Sequence, residues 1–223
     1  MERKTKFIPK EYYHIFSRGV EKRRIFLSEK DYRRFLILLY IHNQPQSFRF
    51  GNFLAVTGNK IMDIYNKERE RTLVSVLGYS LMPNHFHICL QEKEEGGISK
   101  FMMKVLTAYS MYFNQKNERS GPLFVHPFRS VHIGEDAQFR HIFSYIHLNA
   151  LEIREPNWKQ EGVKDKKESE HFLENYSYSS YPDFLGSNRV EGKILDLPAL
   201  PDFISRATLD MKDYEGWYRK DIV

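Results

Sequence analysis

An antiparallel α+β fold with a C-terminal extension is what this sequence predicts, on three observations. Strand-like and helix-like periodicities follow one another in the order strand, helix, strand, strand, helix, strand, helix. Only Met82-Pro83-Asn84 separates the middle two strands, a turn that returns the chain beside itself. Beyond Arg154 the chain changes to a stretch richer in proline, serine and charge.

Tyr12 to Arg18 (YYHIFSR) reads as the first strand, stopped by Gly19. Ser28 is an N-cap with Asp31 three residues on, and Glu29 to Ile41 is the helix that follows, its apolar stripe made by Phe35, Leu36, Leu38 and Leu39. From about 42 to 72 the pattern breaks down around Pro45, Gly51, Gly58 and a charged run, which predicts a loop or a local hairpin inserted into the fold. Leu73 to Leu81 is the second strand and His85 to Gln91 the third. Ile98 to Gln115 carries Ile98, Phe101, Met102, Val105, Ala108, Tyr109, Tyr112 and Phe113 at helical spacing. A short strand near Phe128 to Ile133 and a helix from Asp136 to Leu151 complete the order. That order is the ferredoxin-like split β-α-β arrangement, with helices covering one face of the sheet and the other left for a site. The expected division is a domain over 1–153, with the insertion at about 42–72, and an extension over 154–223.

The length of 223 residues suffices for one domain with a sizeable core plus an appendage. No run of about 18 or more apolar residues occurs, and the start of the chain lacks the apolar stretch of a secretion signal, so an intracellular protein is expected. A single cysteine, Cys89, excludes an internal disulfide framework and a multi-thiolate zinc site. The net charge of +5 is modest, but the bases cluster, as in Arg3 with Lys4, in Arg18, Lys22, Arg23 and Arg24, and in Lys67 to Arg71. Such clusters attract polyanions, and with fourteen tyrosines interleaved they suit unpaired nucleic acid, whose bases stack while its phosphates pair. Many of the aromatics are equally readable as core.

His85-Phe86-His87 carries the most chemistry. Side chains alternate along a strand, so both imidazoles share one face while Phe86, Ile88 and Leu90 bury on the other. Two neutral imidazoles are a common pair of metal ligands, though strand histidines with satisfied hydrogen bonds read the same way. Cys89 shares their face and is either a neighbour of the metal or a small buried hydrophobe. In the late helix, His141, Tyr145 and Asn149 recur at about one turn and fall on one stripe beside the apolar one. Tyr145 is either a half-buried structural residue or a phenol placed to attack a phosphodiester, with a divalent cation on His85 and His87 polarising the phosphate and Asn149 completing the ligands. Two histidines favour a permissive metal such as manganese over magnesium. Tyr109 and Tyr112 are rival tyrosines that sit in the apolar stripe of the long helix and read as core.

The stretches YYHIFSRGVEKRRIF, LGYSLMPNHFHICLQ, YSMYFNQKNERSGPLFVHPFRS, FSYIHLNALE and NYSYSSYPDFLG, in this order, resemble the single-tyrosine His-hydrophobic-His (HUH) transposases, the IS200-like family, and within it the branch associated with repetitive extragenic palindromes (REP). The resemblance spans Tyr12 to Leu151, with the last stretch, Asn175 to Gly186, following it. It implies a single-stranded DNA endonuclease and strand transferase. Tyr145 would be the nucleophile, His85, His87 and Asn149 would hold Mg or Mn, and a 5′-phosphotyrosine and a free 3′ hydroxyl would form. Arg18, Lys22, Arg23 and Arg24 are the candidate phosphate clamps. Single-stranded or hairpin DNA is the implied partner, the state a monomer or homodimer, the place the cytoplasm beside the nucleoid, and no membrane is involved. Relatives often have proline after the asparagine where this chain has Ala150-Leu151, which changes how the helix ends. Two other functions compete, a hairpin-binding protein without catalysis and a metal hydrolase of small substrates. The scarcity of carboxylates near the histidine pair disfavours the hydrolase.

Overall fold

The computed structural model describes residues 6–55, 60–125 and 128–205, without the side chain of Leu54. Arg3 and Lys4 of the basic N-terminal cluster, Gly58 and the end of the extension lie outside the described residues.

Four antiparallel strands form the sheet: β1 (Tyr12–Arg18), β2 (Val74–Met82), β3 (His85–Glu92) and β4 (Arg129–Ile133), in the order β2-β3-β1-β4. β3 lies between β1 and β2, which is the split β-α-β topology that the element order predicts. Its register sets Phe16 opposite His87 and Arg18 opposite His85.

Helices α1 (Glu29–Ile41) and α3 (Gly97–Lys116) cover one face. Phe35, Phe101, Val105 and Tyr109 pack there against Ile15, Phe86, Ile88 and Leu90, the alternate residues of the two central strands. α1 starts at Ser28 as its sequence predicts. The buried Asp31 accepts hydrogen bonds from the backbone N–H of Leu27 (2.9 Å) and Ser28 (3.0 Å). It also accepts from the Ser28 hydroxyl (3.1 Å) and, from α3, from the Tyr112 hydroxyl at 2.9 Å and Lys116 Nζ at 2.6 Å. Tyr109 donates to the carbonyl of Ile25 (2.6 Å), so both rival tyrosines are structural groups of this layer.

The opposite face, expected to be left open for a site, is instead covered in part by a helix and carries a second apolar cluster, because the apolar stripe of that helix also needs burial. Helix α4 (Asp136–Leu148) sets Phe139, Ile142, Phe143 and Ile146 against Leu77, Met82, Cys89 and Ile133. Alternation puts Leu77 in the second cluster and Val76 in the first, and a β-bulge between Val76 and Gly78 keeps Tyr79, three residues after Val76, on the first face as well. Gly78 keeps this approach close: a Cβ would lie 3.0 Å from the His147 ring, so the ring would have to give way. Cys89 is fully buried in this cluster, in the role of a small hydrophobe.

The stretch expected to be a loop or hairpin contains a short helix, α2 (Phe50–Leu54), and a 3₁₀ turn at Ile61–Asn66 that buries Ile64 and Tyr65 in the first cluster. The extension adds α5 (Trp158–Glu161), α6 (Lys166–Asn175) and α7 (Tyr181–Phe184). Residues 178–180 run along the outer edge of β2. The amide of Leu81 donates to Tyr178 O (3.0 Å) and that of Ser180 to Tyr79 O (2.9 Å), with a bridge between Ser80 and Ser179. The Ser180 hydroxyl accepts from Tyr79 N (2.8 Å) and lies 2.7 Å from His147 Nε2, linking the edge of the sheet to α4. An otherwise open strand edge is thereby covered. Among the described residues no helix is long and apolar enough to cross a membrane.

Candidate active site

The site lies where the second apolar cluster ends. β3 turns His85 and His87 toward the α4 side, as strand alternation requires. α4 arrives over them because its apolar stripe is anchored at Gly78 and Leu77, and this brings the Tyr145 ring to 5.2 Å from the His87 ring, edge to face at 86°. The helix tightens into a 3₁₀ turn, Asn149–Ile153, in place of the expected continuation to Leu151. Ala150 and Leu151 are buried in that turn, and Asn149 Nδ2 is drawn to 3.0 Å from His85 Nε2.

Each histidine has a partner on its other side. His85 Nδ1 lies 2.7 Å from Asn84 Oδ1; with Nδ1 as the donor in that pair, the lone pair is on Nε2. His87 Nδ1 lies 2.8 Å from Nε2 of His14 on β1. If His87 is the donor in that pair, its lone pair is also on Nε2. Burial lowers the pKa of His85 to about 4, with Lys159 and Arg18 adding to the effect. It drives His87 well below the usual value too, with His14, His85 and Lys159 contributing. Both rings are therefore neutral at physiological pH, the state in which an imidazole binds a metal.

A cavity of about 290 Å³ opens here, lined by His85, His87 and Tyr145 and, at its mouth, by the exposed cations Arg18, Lys22 and Arg129. Arg23 and Arg24 do not line it. Arg23 is half-buried and pairs with Glu21 at 3.1 Å, and Arg24 points to solvent. His141 is half-buried one turn before Tyr145 and also lies outside the cavity lining.

The residues present fit a divalent cation. Asn149 is fully buried and its Oδ1 has no hydrogen-bond partner, a costly arrangement for an amide oxygen. Exchanging the amide's oxygen and nitrogen would turn that oxygen toward His85 Nε2. Among the described residues no group of three or more His, Cys, Asp or Glu is placed to hold a metal ion, so an amide oxygen beside two imidazoles is the donor set on offer.

A family model described as "Transposase IS200 like" matches residues 49–149. Over that segment the chain is similar to the IS200-like transposases. A solved structure described as a REP-associated tyrosine transposase bound to a REP hairpin is similar in fold. The TM-score is 0.50 and the sequence identity 14%, over 92% of this chain and 99% of that one. No curated protein matches the chain.

The segment that matches the family model ends at Asn149 and holds His85, His87 and Tyr145 as well. His14, Arg18, Lys22 and Lys159 fall outside it. Sequence reasoning missed four residues of the site: His14, Asn84, Arg129 and Lys159. Asn84 was legible, because it adjoins His85 in the same turn. His14 shares a strand face with Tyr12 and Phe16, but nothing local says which residue of β3 it will meet. Arg129 and Lys159 arrive through tertiary packing alone.

Proposed function

We propose that this chain is a metal-dependent single-stranded DNA endonuclease and strand transferase of the REP-associated branch, acting through a 5′-phosphotyrosine at Tyr145 on hairpin-flanked DNA. The observation that carries this reading is the contact between the Tyr145 ring and His87, in a cavity whose mouth is lined with cations. Of the three tyrosines weighed as nucleophiles, only Tyr145 lines that cavity.

In the proposed reaction, Arg18, Lys22 and Arg129 hold the phosphates of a single strand at the mouth. Tyr145 Oη attacks the phosphorus and its proton passes to solvent. The P–O3′ bond breaks, and the leaving oxygen departs as a 3′ hydroxyl after taking up a proton. One phosphodiester has been exchanged for another, so religation by a 3′ hydroxyl needs no nucleotide cofactor. His85, His87 and Asn149 would hold Mn or Mg, which when bound polarises the phosphate and stabilises the departing oxygen. His14 and Asn84 orient the two imidazoles. The hairpin bound to the structurally similar REP-associated transposase supports structured DNA as the partner here. We assign the chemistry to residues 1–153, with the extension as a brace.

The test is incubation with hairpin oligonucleotides and Mn²⁺, followed by a denaturing gel. A covalently shifted band is expected with the unaltered chain and none with Tyr145→Phe, which should still bind the same oligonucleotide. Binding without any adduct from the unaltered chain would favour a hairpin-binding protein without catalysis. Adduct from Tyr145→Phe would remove Tyr145 from the reaction.

A further inference from the structure

Lys159 lies far from the histidines in the sequence and outside the segment matched by the family model, yet it reaches the site. Its Nζ sits over the Tyr145 ring, 4.8 Å from the centroid. The same ammonium pairs with the carboxylate of Glu152, in the 3₁₀ turn that begins at Asn149. The lysine side chain is only 15% exposed, an unusual place for a lysine unless it is paired. Trp158, beside it, is buried in the second apolar cluster and anchors α5 there. Lys159 is also close enough to lower the pKa of both His85 and His87. A plain structural staple between Glu152 and Lys159 would not require the cation to rest on the face of the tyrosine.

Resting on the reading of Tyr145 as nucleophile, we propose that Lys159 is a positioning residue of the active site. The extension delivers this cation, held by Glu152, onto the Tyr145 ring, and a cation–π contact fixes the orientation in which the phenol attacks the phosphate. Arginine can serve the same purpose, since a guanidinium also stacks on an aromatic face, whereas a neutral side chain cannot. The extension then positions the attacking phenol as well as covering the strand edge.

The experiment is single-turnover adduct formation with Mn²⁺ on one oligonucleotide, a hairpin with single-stranded flanks, chosen from a pool with randomised flanks by the adduct it gives with the unaltered chain. Lys159→Met keeps most of the aliphatic stem and removes the charge. Its rate at saturating DNA should fall roughly thirtyfold. The half-saturating DNA concentration should change less than about threefold, as expected for the loss of one cation among several. Lys159→Arg should restore most of the rate. If Lys159→Met does not fold, Lys159→Gln, which keeps a polar end for Glu152, takes its place with the same expectations. A saturating rate within about twofold of the unaltered chain, with or without a lower melting temperature, would leave Lys159 a staple and overturn the inference alone. No adduct from the unaltered chain with any member of the pool would overturn the reading of Tyr145, and this inference with it.

Discussion

The two ring nitrogens that meet between His14 and His87 are 2.8 Å apart, on adjacent strands and inside the protein. His14 is buried with a pKa lowered to about 3 by desolvation, so it stays neutral and can act only as a hydrogen-bond partner. If it orients His87 for a cation, His14→Phe should weaken Mn²⁺ binding by about 10- to 100-fold, the usual cost of losing such support. Isothermal titration calorimetry measures this, and unchanged affinity would assign the pair to packing only. Much of the site was legible at this scale. His85 and His87 announce a shared face through strand alternation, and Tyr145 and Asn149 a shared stripe through helical spacing. Arg23 and Arg24 show the opposite case. Their clustering with Arg18 and Lys22 is visible in the sequence, but a 3₁₀ turn at Val20–Lys22 carries the chain away from the cavity after Lys22.

Between elements, the buried carboxylate of Asp31 ties the start of α1 to the end of α3. It accepts from two backbone N–H groups, the Ser28 hydroxyl, Tyr112 and Lys116. Burial opposes ionisation, but Lys116, the Leu27 amide and Tyr112 outweigh it and hold the pKa below the usual carboxylate range. Asp31→Asn leaves too few acceptors for these donors and should cost about 3 kcal/mol in urea unfolding. A loss below about 0.5 kcal/mol would show that the cluster is dispensable. The capping signal was readable before the fold was known, because Ser28 and Asp31 have the spacing of a local motif. The strand-edge cover at residues 178–180 was not readable, since its partner strand lies about a hundred residues earlier and the pairing uses backbone groups, which every residue carries.

For the molecule as a whole, burial of neutral histidines sets the response to acid. The pKa is lowered to about 3 for His14 and about 4 for His42 and His147, chiefly by desolvation. In the unfolded chain these groups titrate near about 6.5. Between those values the unfolded state binds more protons than the folded one, so stability is complete above about pH 6.5 and is lost as pH falls toward 4. The urea midpoint should therefore drop steadily from pH 7 to pH 4, and His42→Phe should lessen the drop; a flat midpoint over that range would contradict the burial of these rings. The same scale separates what the sequence could decide from what it could not. Periodicity determined the strands, the three long helices and the faces of His85, His87, Tyr145 and Asn149, because alternation and helical repeat are properties of the local backbone. The tertiary structure alone decided that His14 meets His87, that α4 covers the histidine face and that Lys159 comes to rest on Tyr145. Those placements depend on strand register and on the packing of residues far apart in the chain, and neither leaves a repeat in a single sequence.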